Sequence, residues 1–378
     1  MSKINLNIGD ALIELKKIKD SSVDLIIADP PYNLKKNYGN NNDDKEFNEY
    51  LDFTNSWMTE AKRVLKKNGT IYVFMGVKFI SYLFKILEKD LSLIYNSWIT
   101  WHYTQGMGKT KGFSPRHDDI LAFNKSEDFI FNLDAIRVPQ KFYRQRNNMR
   151  GANPGDVWEF SHIHYSNPNR QNHPTQKPEG LIERLVLASS SEKDLVLDPF
   201  SGSGTTVLHC ALNNIQAIGI EVNPFLHFLS INKTLDFTDS IKKIEEHLKN
   251  VNLSDKYDLP LLSISKKLFG DQLDEILQLK KYIFSINDLK TRNFLHTAFL
   301  CSLDACSFAK KDGNGLRYPK NKKPKNILLV FKKTAYLMLD DIKKTHINKA
   351  PNIINNNSLH EITKPSFKKK YSDKINLI

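Results

Sequence analysis

Cysteine is scarce in this chain, which has three in 378 residues: Cys210, Cys301 and Cys306. No two of them are separated by two residues, the spacing at which cysteine pairs commonly bind zinc, so the sequence predicts no metal site. An odd number of cysteines is typical of a reducing compartment, where thiols stay unpaired. We therefore expect a cytoplasmic protein without structural disulfides.

Long hydrophobic runs are also missing. No apolar stretch approaches the roughly 18 residues needed to span a bilayer, and the N-terminus has no signal-peptide pattern. The sequence thus predicts no membrane association. Hydrophobic residues still make up 40% of the chain. That content is enough for a real core, and a chain of this length can hold two domains.

The tetrad Asp29, Pro30, Pro31 and Tyr32 directly follows an apolar segment, residues 23–28. An amine on an aromatic base is a weak nucleophile, because its lone pair is delocalised into the ring. Asp29 and the Pro30 carbonyl can accept hydrogen bonds from such an amine, and the two prolines stiffen the backbone around them. Tyr32 offers a flat face on which an extruded base can stack. By itself the tetrad also fits an ordinary exit from a strand.

A second motif, residues 198–206, is rich in glycine and follows the apolar segment 195–197. Gly202 and Gly204 permit a tight turn and close backbone approach to a ligand at the start of a helix. Glu221 ends an apolar segment 17 residues past Gly204, where dinucleotide folds place a carboxylate for ribose hydroxyls. Val207 replaces the third glycine of the dinucleotide motif, and this motif alone leaves NAD as a competitor. Its pairing with the tetrad favours S-adenosylmethionine.

Together the two motifs resemble those of DNA amino-methyltransferases, which methylate adenine N6 or cytosine N4. The tetrad precedes the glycine-rich loop by about 170 residues. This order is similar to that of the β subgroup from bacterial restriction-modification systems, in which the methyltransferase sheet is circularly permuted. The resemblance covers residues 1 to about 235. It implies a Rossmann-like α/β fold, S-adenosylmethionine as cofactor and direct in-line transfer to a flipped base.

The resemblance also implies roles for individual residues. The segment around Asp10 lies near the cofactor adenine in relatives, and residues 173–178 resemble the segment that contacts its methionine end. The implied catalytic residues are the tetrad, and no metal takes part. The implied cofactor-binding residues are Asp10, Ala11, Asp29, His173, Thr175, Lys177, Asp198, Phe200, Ser201, Gly202, Ser203, Gly204, Thr205, Glu221 and Asn223.

Related activities fit less well. The chain has no Pro-Cys dipeptide, and this removes the nucleophile of a cytosine-C5 methyltransferase. Protein-glutamine and RNA amino-methyltransferases usually carry Asn first in the tetrad and place the cofactor loop before it. Asp29 favours adenine by a statistical preference within the family, so cytosine N4 stays an alternative. A catalytically silent DNA-binding component is a second alternative, against which the intact Asp29, Gly202, Gly204 and Glu221 argue.

Positive charge is unevenly distributed along the chain, whose formal net charge is +13. Residues 255–378 contain 24 Lys+Arg and 12 Asp+Glu, whereas residues 1–254 contain 31 and 30. We predict a catalytic domain over residues 1–252 and a basic, mainly helical DNA-binding domain with a mobile tail over residues 253–378. A solvated lysine-rich surface is the alternative interpretation.

Arginine is rare, with 10 Arg against 45 Lys, yet five arginines lie between residues 137 and 170. A guanidinium makes the bidentate contacts that guanine edges and phosphates require. Because relatives hold their target-recognition segment in this interval, we predict one over about 105–172; chance enrichment in a surface loop is the alternative. The predicted DNA contacts are Arg137, Arg144, Arg146, Arg150, Arg170 and, at a C-terminal turn, Arg317 and Tyr318.

Hydrophobic periodicity predicts strands that alternate with helices, and therefore a mostly parallel sheet. We expect residues 33–46 to form a mobile loop over the base pocket and residues 262–310 to be helical. Gly69 is predicted to end the second helix. The predicted strands are 4–8, 23–28, 70–75, 97–103, 119–124, 195–197 and 217–220, and the predicted helices are 10–18, 47–65, 178–190 and 238–250.

Double-stranded DNA is the substrate that the resemblance implies. Relatives are often dimers, so a second copy of this chain is a candidate partner. A cognate restriction endonuclease is another. The sequence leaves both of these partners open.

Overall fold

The computed structural model describes residues 3–34, 44–104, 108–140, 150–161, 177–253, 263–312 and 315–344. The described chain divides into two units, one ending at Thr234 and the other beginning at Leu235. We call them the first unit and the second unit. Among the described residues no helix has the length and apolar character needed to cross a bilayer.

The first unit is built on a sheet in which the described strands have the order β1-β8-β7-β2-β3-β5-β4-β6. Neighbouring strands are parallel except at β5, which is antiparallel to both β3 and β4. The predicted mostly parallel α/β sheet is therefore confirmed. The strands are β1 (Ile4–Ile8), β2 (Val23–Ala28), β3 (Leu65–Met75), β4 (Ile94–His102), β5 (His117–Asn124), β6 (Val157–Glu159), β7 (Leu195–Asp198) and β8 (Gln216–Glu221).

Helices cover the sheet because its central strands are apolar on both faces. Every residue of β2 is buried, as expected for a parallel strand packed on both sides. On α5 the apolar residues Leu181, Ile182, Leu185 and Val186 are buried. The helices of this unit are α1 (Ala11–Leu15), α2 (Phe47–Val64), α3 (Ile80–Lys85, followed by a π-helical turn over Ile86–Asp90), α4 (Leu133–Ile136), α5 (Glu179–Ser189), α6 (Thr205–Leu212) and α7 (Pro224–Thr234).

Two predicted helix boundaries are wrong. The first helix spans only Ala11–Leu15, shorter than the predicted 10–18. The second ends at Val64, and β3 begins at once with Leu65, so Gly69 lies within a strand. Gly69 is needed there for space, because an added Cβ would lie 2.6 Å from Leu65 Cδ1 and 2.8 Å from the carbonyl oxygen of Asp24.

The second unit is mainly helical in its described part and has its own core. The core includes Ile244 and Leu248 of α8, Phe294 and Phe299 of α11, and Phe331 of α12. The elements of this unit are α8 (Ile241–Asn250, after a 3₁₀ turn at Thr238–Ser240), α9 (Ser263–Phe269, before a 3₁₀ turn at Gly270–Gln272), α10 (Leu273–Ser285), α11 (Leu289–Cys306), β9 (Lys310–Asp312), β10 (Gly315–Arg317) and α12 (Ile327–Lys344).

The boundary between the units differs from the predicted one at residues 252–253. It lies between Thr234 and Leu235, so α8 belongs to the second unit. The physical reason is that the apolar face of α8, Ile244 and Leu248, is fully buried in the second core. In its described part the predicted helical stretch 262–310 contains the three helices α9, α10 and α11, and Ile264 of α9 is 45% exposed.

Candidate active site

The two sequence motifs meet at one edge of the sheet. β2 and β7 are hydrogen-bonded parallel neighbours, with Leu25 opposite Val196 and Ile26 opposite Leu197. Their carboxyl ends carry the tetrad and the glycine-rich loop, so about 170 residues of chain separate segments that lie side by side. β1 and β8 end at the same edge, where Ile8 is paired with Glu221. Carboxyl ends of parallel strands are where ligands bind in open α/β sheets.

A cavity of about 440 Å³ opens at this edge. Its volume lies within the usual range for a small-molecule site. Most of the residues predicted from sequence line it: Asp10, Ala11, Asp29, Pro30, Pro31, Tyr32, Lys177, Asp198, Phe200, Ser201, Gly202, Ser203, Thr205, Glu221 and Asn223.

The carboxylate of Asp29 is held from one side only. Its Oδ2 accepts a hydrogen bond of 2.5 Å from Lys177 Nζ. Its Oδ1 is buried and has no hydrogen-bond partner among the residues that the structure describes. The Lys177 ammonium, on a residue only 8% exposed, also lies 5.3 Å from the centroid of the Tyr32 ring. One acceptor atom beside a stacking face is therefore available to a ligand.

Lys177 has a contact that the sequence did not predict. Its ammonium forms an ion pair with Asp29, and the predicted place of Lys177 at the methionine end of the cofactor stays a prediction. A second aromatic ring, that of Phe74, lies 5.2 Å from the same ammonium. The attraction between the two charges offsets part of the cost of removing both groups from water.

Tyr50 of α2 also lines the cavity, although it is not among the site residues predicted from the sequence. Its hydroxyl donates a 2.7 Å hydrogen bond to the carbonyl of Pro31. Its ring packs against Phe79, with 4.6 Å between centroids. The tetrad is thereby fixed to α2. A tyrosine, rather than phenylalanine, at a fully buried helix position was the available signal, since a buried hydroxyl needs a partner.

The Asn33 side chain holds together the two ends of the segment that follows the tetrad. Asn33 Nδ2 donates to the carbonyl of Lys45 at 2.9 Å, and the Lys45 N–H donates to Asn33 Oδ1 at 2.7 Å. The residues between them include 35–43, which lie outside the described residues, so the predicted mobile loop over 33–46 stays a prediction. Asn33 itself adopts a φ of 54°, a left-handed conformation that asparagine tolerates better than most residues.

The glycine-rich loop turns tightly against β8. Ser201 N donates to the carbonyl of Ile220 at 2.9 Å, and Gly204 N donates to the carbonyl of Ser201 at 2.8 Å. Gly202 and Gly204 have φ values of 51° and 82°, a backbone region that favours glycine. Gly204 does not line the cavity; it precedes α6, and its role is packing, because an added Cβ would lie 2.7 Å from Ser230 Cβ.

Glu221 is fixed by backbone donors from both sides. Its Oε2 accepts from Gly202 N at 2.8 Å, and its Oε1 accepts from Asn223 N at 2.7 Å. Each carboxylate oxygen keeps a further lone pair for a ligand hydroxyl. Burial raises the pKa of Glu221 to about 7, although these backbone hydrogen bonds oppose the shift. Burial likewise raises the pKa of Asp198 to about 7.

A family model for N6/N4 DNA methylases matches residues 23–232, from the start of β2 into α7. The chain belongs to this family. It is an S-adenosylmethionine-dependent DNA amino-methyltransferase of the type found in restriction-modification systems. The predicted fold and cofactor are thereby confirmed.

Two curated relatives support the assignment to the methylase family. The Type II methyltransferase M.HpaI of Haemophilus parainfluenzae is 62% identical over 216 residues, which is 57% of this chain and 69% of that protein. The DNA adenine methyltransferase YhdJ of Escherichia coli K12 is 38% identical over 228 residues, which is 57% of this chain and 77% of that protein.

A solved structure shares the fold of this methylase. The PvuII DNA methyltransferase, which is described as cytosine-N4-specific, aligns with a TM-score of 0.53 at 19% identity. The alignment covers 65% of this chain and 93% of that one. At this identity the likeness concerns the fold alone.

The cavity of the methylase fits the cofactor's chemistry. S-adenosylmethionine has a ribose diol and an adenine, and Glu221 presents two fixed carboxylate oxygens at one wall. Ser201 Oγ is buried without a hydrogen-bond partner in the described part of the chain, and it faces the same cavity. Phe200 adds an apolar wall; its ring packs edge-on against Trp57 at 5.3 Å.

The remaining predicted residues have different outcomes. His173, Thr175, Arg144, Arg146 and Arg170 lie outside the described residues, so their predicted roles stay predictions.

Arg137 is engaged within the protein in the described structure, and its predicted contact with DNA stays a prediction. Its guanidinium binds Asp134 at 2.6 Å and the carbonyl of Gly151 at 3.0 Å, which makes it a structural clamp. Arg150 also bonds to Asp134, at 2.8 Å, but it is largely exposed. In the second unit, Arg317 is exposed at the end of β10, and the ring of Tyr318 lies 4.9 Å from Lys267 Nζ.

No set of three or more His, Cys, Asp or Glu side chains is arranged to hold a metal ion in the described part of the chain.

Proposed function

We propose that this protein methylates the N6 amine of adenine within a specific sequence of double-stranded DNA, after the base has been turned out of the duplex. The observation that carries the proposal is the geometry of Asp29. One of its oxygens is buried, without a hydrogen-bond partner in the described residues, and borders the cavity beside Tyr32. A buried acceptor of this kind is costly to leave unsatisfied unless a ligand donor completes it.

An exocyclic amine is the donor that fits best. Asp29 Oδ1 accepts one N–H, and the Pro30 carbonyl accepts the other; the neighbouring Pro31 carbonyl is already engaged by Tyr50. Holding both N–H bonds turns the nitrogen lone pair away from the ring. The ring of Tyr32 supports the base by stacking. Because these groups are fixed before the base arrives, they cost no reorganisation during reaction.

The cofactor is proposed to occupy the other half of the cavity. Glu221 accepts from the ribose hydroxyls, Phe200 covers the adenine, and the loop from Ser201 to Ser203 closes around it. Asp10 lies at the mouth, where its carboxylate caps α1 through Leu12 N at 2.9 Å. When bound, S-adenosylmethionine supplies the electrophilic methyl group. The amine would attack that methyl carbon directly while the carbon–sulfur bond breaks, so the chain needs no covalent intermediate, and the proton lost by the amine leaves to water.

Adenine is proposed over cytosine for two reasons. Asp29 occupies the first tetrad position, and YhdJ, an adenine methyltransferase by name, is 38% identical across the catalytic region. Double-stranded DNA as a sequence-specific substrate and a cognate restriction endonuclease are part of the same proposal, because the relative at 62% identity is a Type II methyltransferase.

The test is a direct assay of the product. Random-sequence duplex DNA is incubated with the full chain and methyl-labelled S-adenosylmethionine, then digested to nucleosides and separated. We expect the label in N6-methyl-2′-deoxyadenosine. Label in N4-methyl-2′-deoxycytidine would overturn adenine, and no label in DNA would overturn the proposal as a whole.

Asp29→Ala tests the role of the carboxylate. Removing one preorganised partner typically lowers turnover about 10²–10³-fold, while calorimetry should still detect cofactor binding. Asp90→Asn is the control, because Asp90 is an exposed carboxylate whose pairing with Lys85 has no contact with the cavity. Near-normal turnover by Asp29→Ala would contradict the assignment of the tetrad.

A further inference from the structure

Phe113 is the most solvent-exposed large hydrophobic residue in the described part of the chain, at 99% of its full accessible surface. Residues 108–113 are all exposed. The turn is nevertheless defined, since Lys109 N donates a 2.8 Å hydrogen bond to Ser114 Oγ. Gly112 allows the chain to reverse just before the ring, with a φ of 82°. We call residues 108–116 the Phe113 loop.

The Phe113 loop lies at the edge of the sheet that carries the active site. It connects β4 to β5, and its base is closed by the pairing of His102 with His117 and by a 2.9 Å bond from Tyr103 N to the carbonyl of Arg116. β5 is antiparallel to β3, and its Asp119 is opposite Met75, the last residue of β3. β5 therefore begins where β2 and β3 end.

The start of β5 is next to the base pocket itself. The point where a Cβ on Gly76 would lie is 3.5 Å from the Tyr32 ring and 3.8 Å from Asp118 Oδ1. Phe113 precedes Asp118 by five residues, a length of chain that spans at most about 18 Å. DNA that delivers a nucleotide to Tyr32 therefore lies within reach of the loop.

The charges around the ring match a polyanion. Between residues 104 and 117 the chain contains Lys109, Lys111 and Arg116 and no Asp or Glu. Both lysines are exposed on the turn that presents the ring. An apolar ring flanked by cations is the arrangement with which proteins enter a base stack while contacting the adjacent phosphates.

We propose that Phe113 inserts into the DNA duplex beside the target and occupies the gap left by the flipped base, while Lys109 and Lys111 contact phosphates. This inference rests on the proposed base flipping. Turning a base out of the duplex loses its stacking and pairing, and an aromatic ring in the vacated place restores part of the stacking. The ring stabilises the opened duplex and takes no part in methyl transfer.

The experiment uses the full chain and begins by mapping the methylated sequence in random DNA with the unmodified protein. That step decides the proposed function independently: if no base is methylated, the proposed function fails, and the role of Phe113 fails with it. Single-turnover methylation is then measured on two duplexes of the mapped sequence. One is fully paired, and in the other the target base faces an abasic site, so that there is no pair to break.

Phe113→Ala should methylate the paired duplex about tenfold more slowly, a reduction in the range expected for one stacking interaction. Its reduction should be clearly smaller on the abasic duplex, where no pair has to be broken and base flipping limits the rate less. Phe113→Trp should retain the rate on both. Fluorescence of 2-aminopurine at the target position, which rises when the base leaves the stack, should be reduced with Phe113→Ala on the paired duplex.

Phe131→Ala is the matched control, because Phe131 is also an exposed phenylalanine but follows the opposite end of β5. It should methylate both duplexes at the normal rate. Three results would overturn the inference. The first is a normal rate for Phe113→Ala on the paired duplex, and the second is an equal reduction on both duplexes. The third is an oligomeric mass of Phe113→Ala, measured by sedimentation, that differs from that of the unmodified protein, because Phe113 would then be a contact between copies of the chain. Melting curves of each variant verify that the fold is intact.

Discussion

At the scale of single residues, the ion pair between Lys177 and Asp29 is the feature with the largest consequences for the site. Lys177 approaches Asp29 Oδ2, and Oδ1 has no hydrogen-bond partner among the described residues. The side chains of Lys177 and Asp29 are only 9% and 24% exposed, so neither charge is well hydrated. In the proposed reaction Lys177 is a positioning residue, because it would orient the carboxylate that accepts from the amine.

A double-mutant cycle measures this pair. Asp29→Asn leaves a buried ammonium without its partner, and Lys177→Met leaves a carboxylate without its counterion, so each single change should destabilise the fold. The double variant should be less destabilised than the sum of the two by roughly 0.5–3 kcal/mol in denaturant unfolding.

The exposed pair Lys85 and Asp90, whose side chains are 67% and 42% exposed, is the control for this cycle. Its coupling free energy should not exceed about 1 kcal/mol. Additive effects at Lys177 and Asp29 would show that the ion pair contributes no coupling.

Glu221 gives a prediction about pH. Its pKa of about 7 in the folded protein is above the ordinary 4.5. The folded state without ligand therefore binds a proton that the unfolded chain releases between pH 4.5 and 7, and this carboxyl's contribution to stability falls as pH rises through that window. Ribose hydroxyls donate to the ionised form, so cofactor binding should release a proton and tighten as pH rises toward and past 7.

Titration calorimetry tests this linkage. At pH near 6.5, the binding enthalpy of S-adenosylmethionine should differ between buffers of different ionisation enthalpy. In Glu221→Gln the difference should shrink, because that side chain no longer titrates. A residual difference would be assigned to Asp198, whose pKa is also raised to about 7. Equal enthalpies in both buffers for the unmodified protein would contradict the proposed carboxylate–ribose contact.

At the scale of elements, the junction between the glycine-rich loop and α6 is set by α7. The chain must reverse at Gly204 while it passes Ser230, whose Cα would lie 2.9 Å from an added Cβ. Two requirements, a left-handed φ and missing side-chain volume, coincide at this position. Gly112 has the same φ of 82° but nothing within 4 Å of an added Cβ.

Alanine substitutions at Gly112 and Gly204 separate the free-energy cost of backbone strain from that of steric overlap. Gly112→Ala should cost only the backbone term, about 1 kcal/mol. Gly204→Ala should cost roughly a further 1–3 kcal/mol, because α7 cannot move its backbone away. Thermal unfolding of both variants measures the difference. Equal decreases in stability would show that Ser230 and its helix yield to the methyl group.

The arginine of α5 that faces β6 illustrates how an edge strand is held. Arg184 lies 4.8 Å from the ring centroids of both Trp158 and Phe160, between the edge strand and the helix. Burial lowers the pKa of its guanidinium, yet the two aromatic faces compensate through cation–π attraction. β6 is only three residues long, so this stack contributes to its attachment beyond its ladder with β4.

At the scale of the whole molecule, the excess of positive charge lies in the C-terminal part of the chain, residues 255–378. The second unit carries the lysine-rich turn before α12, where Lys320, Lys323 and Lys325 are exposed. Lys322 in the same turn is structural, since its ammonium donates to the carbonyl of Asp304 at 2.8 Å. A deletion from residue 320 would also remove α12, whose Phe331 is fully buried, so substitution is the cleaner test.

The triple change of Lys320, Lys323 and Lys325 to Ala should weaken binding to all duplex DNA alike. The slope of log affinity against log salt should decrease by roughly 0.9 for each phosphate that the variant no longer neutralises. The methylated sequence should not change, because phosphate contacts carry no base information. The matched control replaces Lys16, Lys17 and Lys19, three exposed lysines at the end of α1. An altered methylated sequence would make the second unit a reader of bases.

The residue types at the candidate site could be recognised from short segments of the sequence. That Asp29, Tyr32, the glycine-rich loop and Glu221 line one cavity was predictable, because the predicted chemistry requires a particular residue type at each place: a carboxylate, an aromatic face, or a backbone that glycine adopts most readily. The alternation of strands and helices was predictable for the same local reason, since burial on both faces of a strand leaves an unbroken apolar segment.

How these parts are partnered depends on the tertiary structure. The pairing of Lys177 with Asp29 joins residues 148 positions apart, and nothing local specifies it. Gly69 is glycine because another strand's carbonyl passes it, and the Arg137 guanidinium donates to the carbonyl of Gly151, 14 residues further along the chain. The unit boundary moved to Leu235 because the apolar face of α8 is buried by helices that come later in the chain. Contacts between distant segments depend on the packed fold, and a local pattern does not contain them.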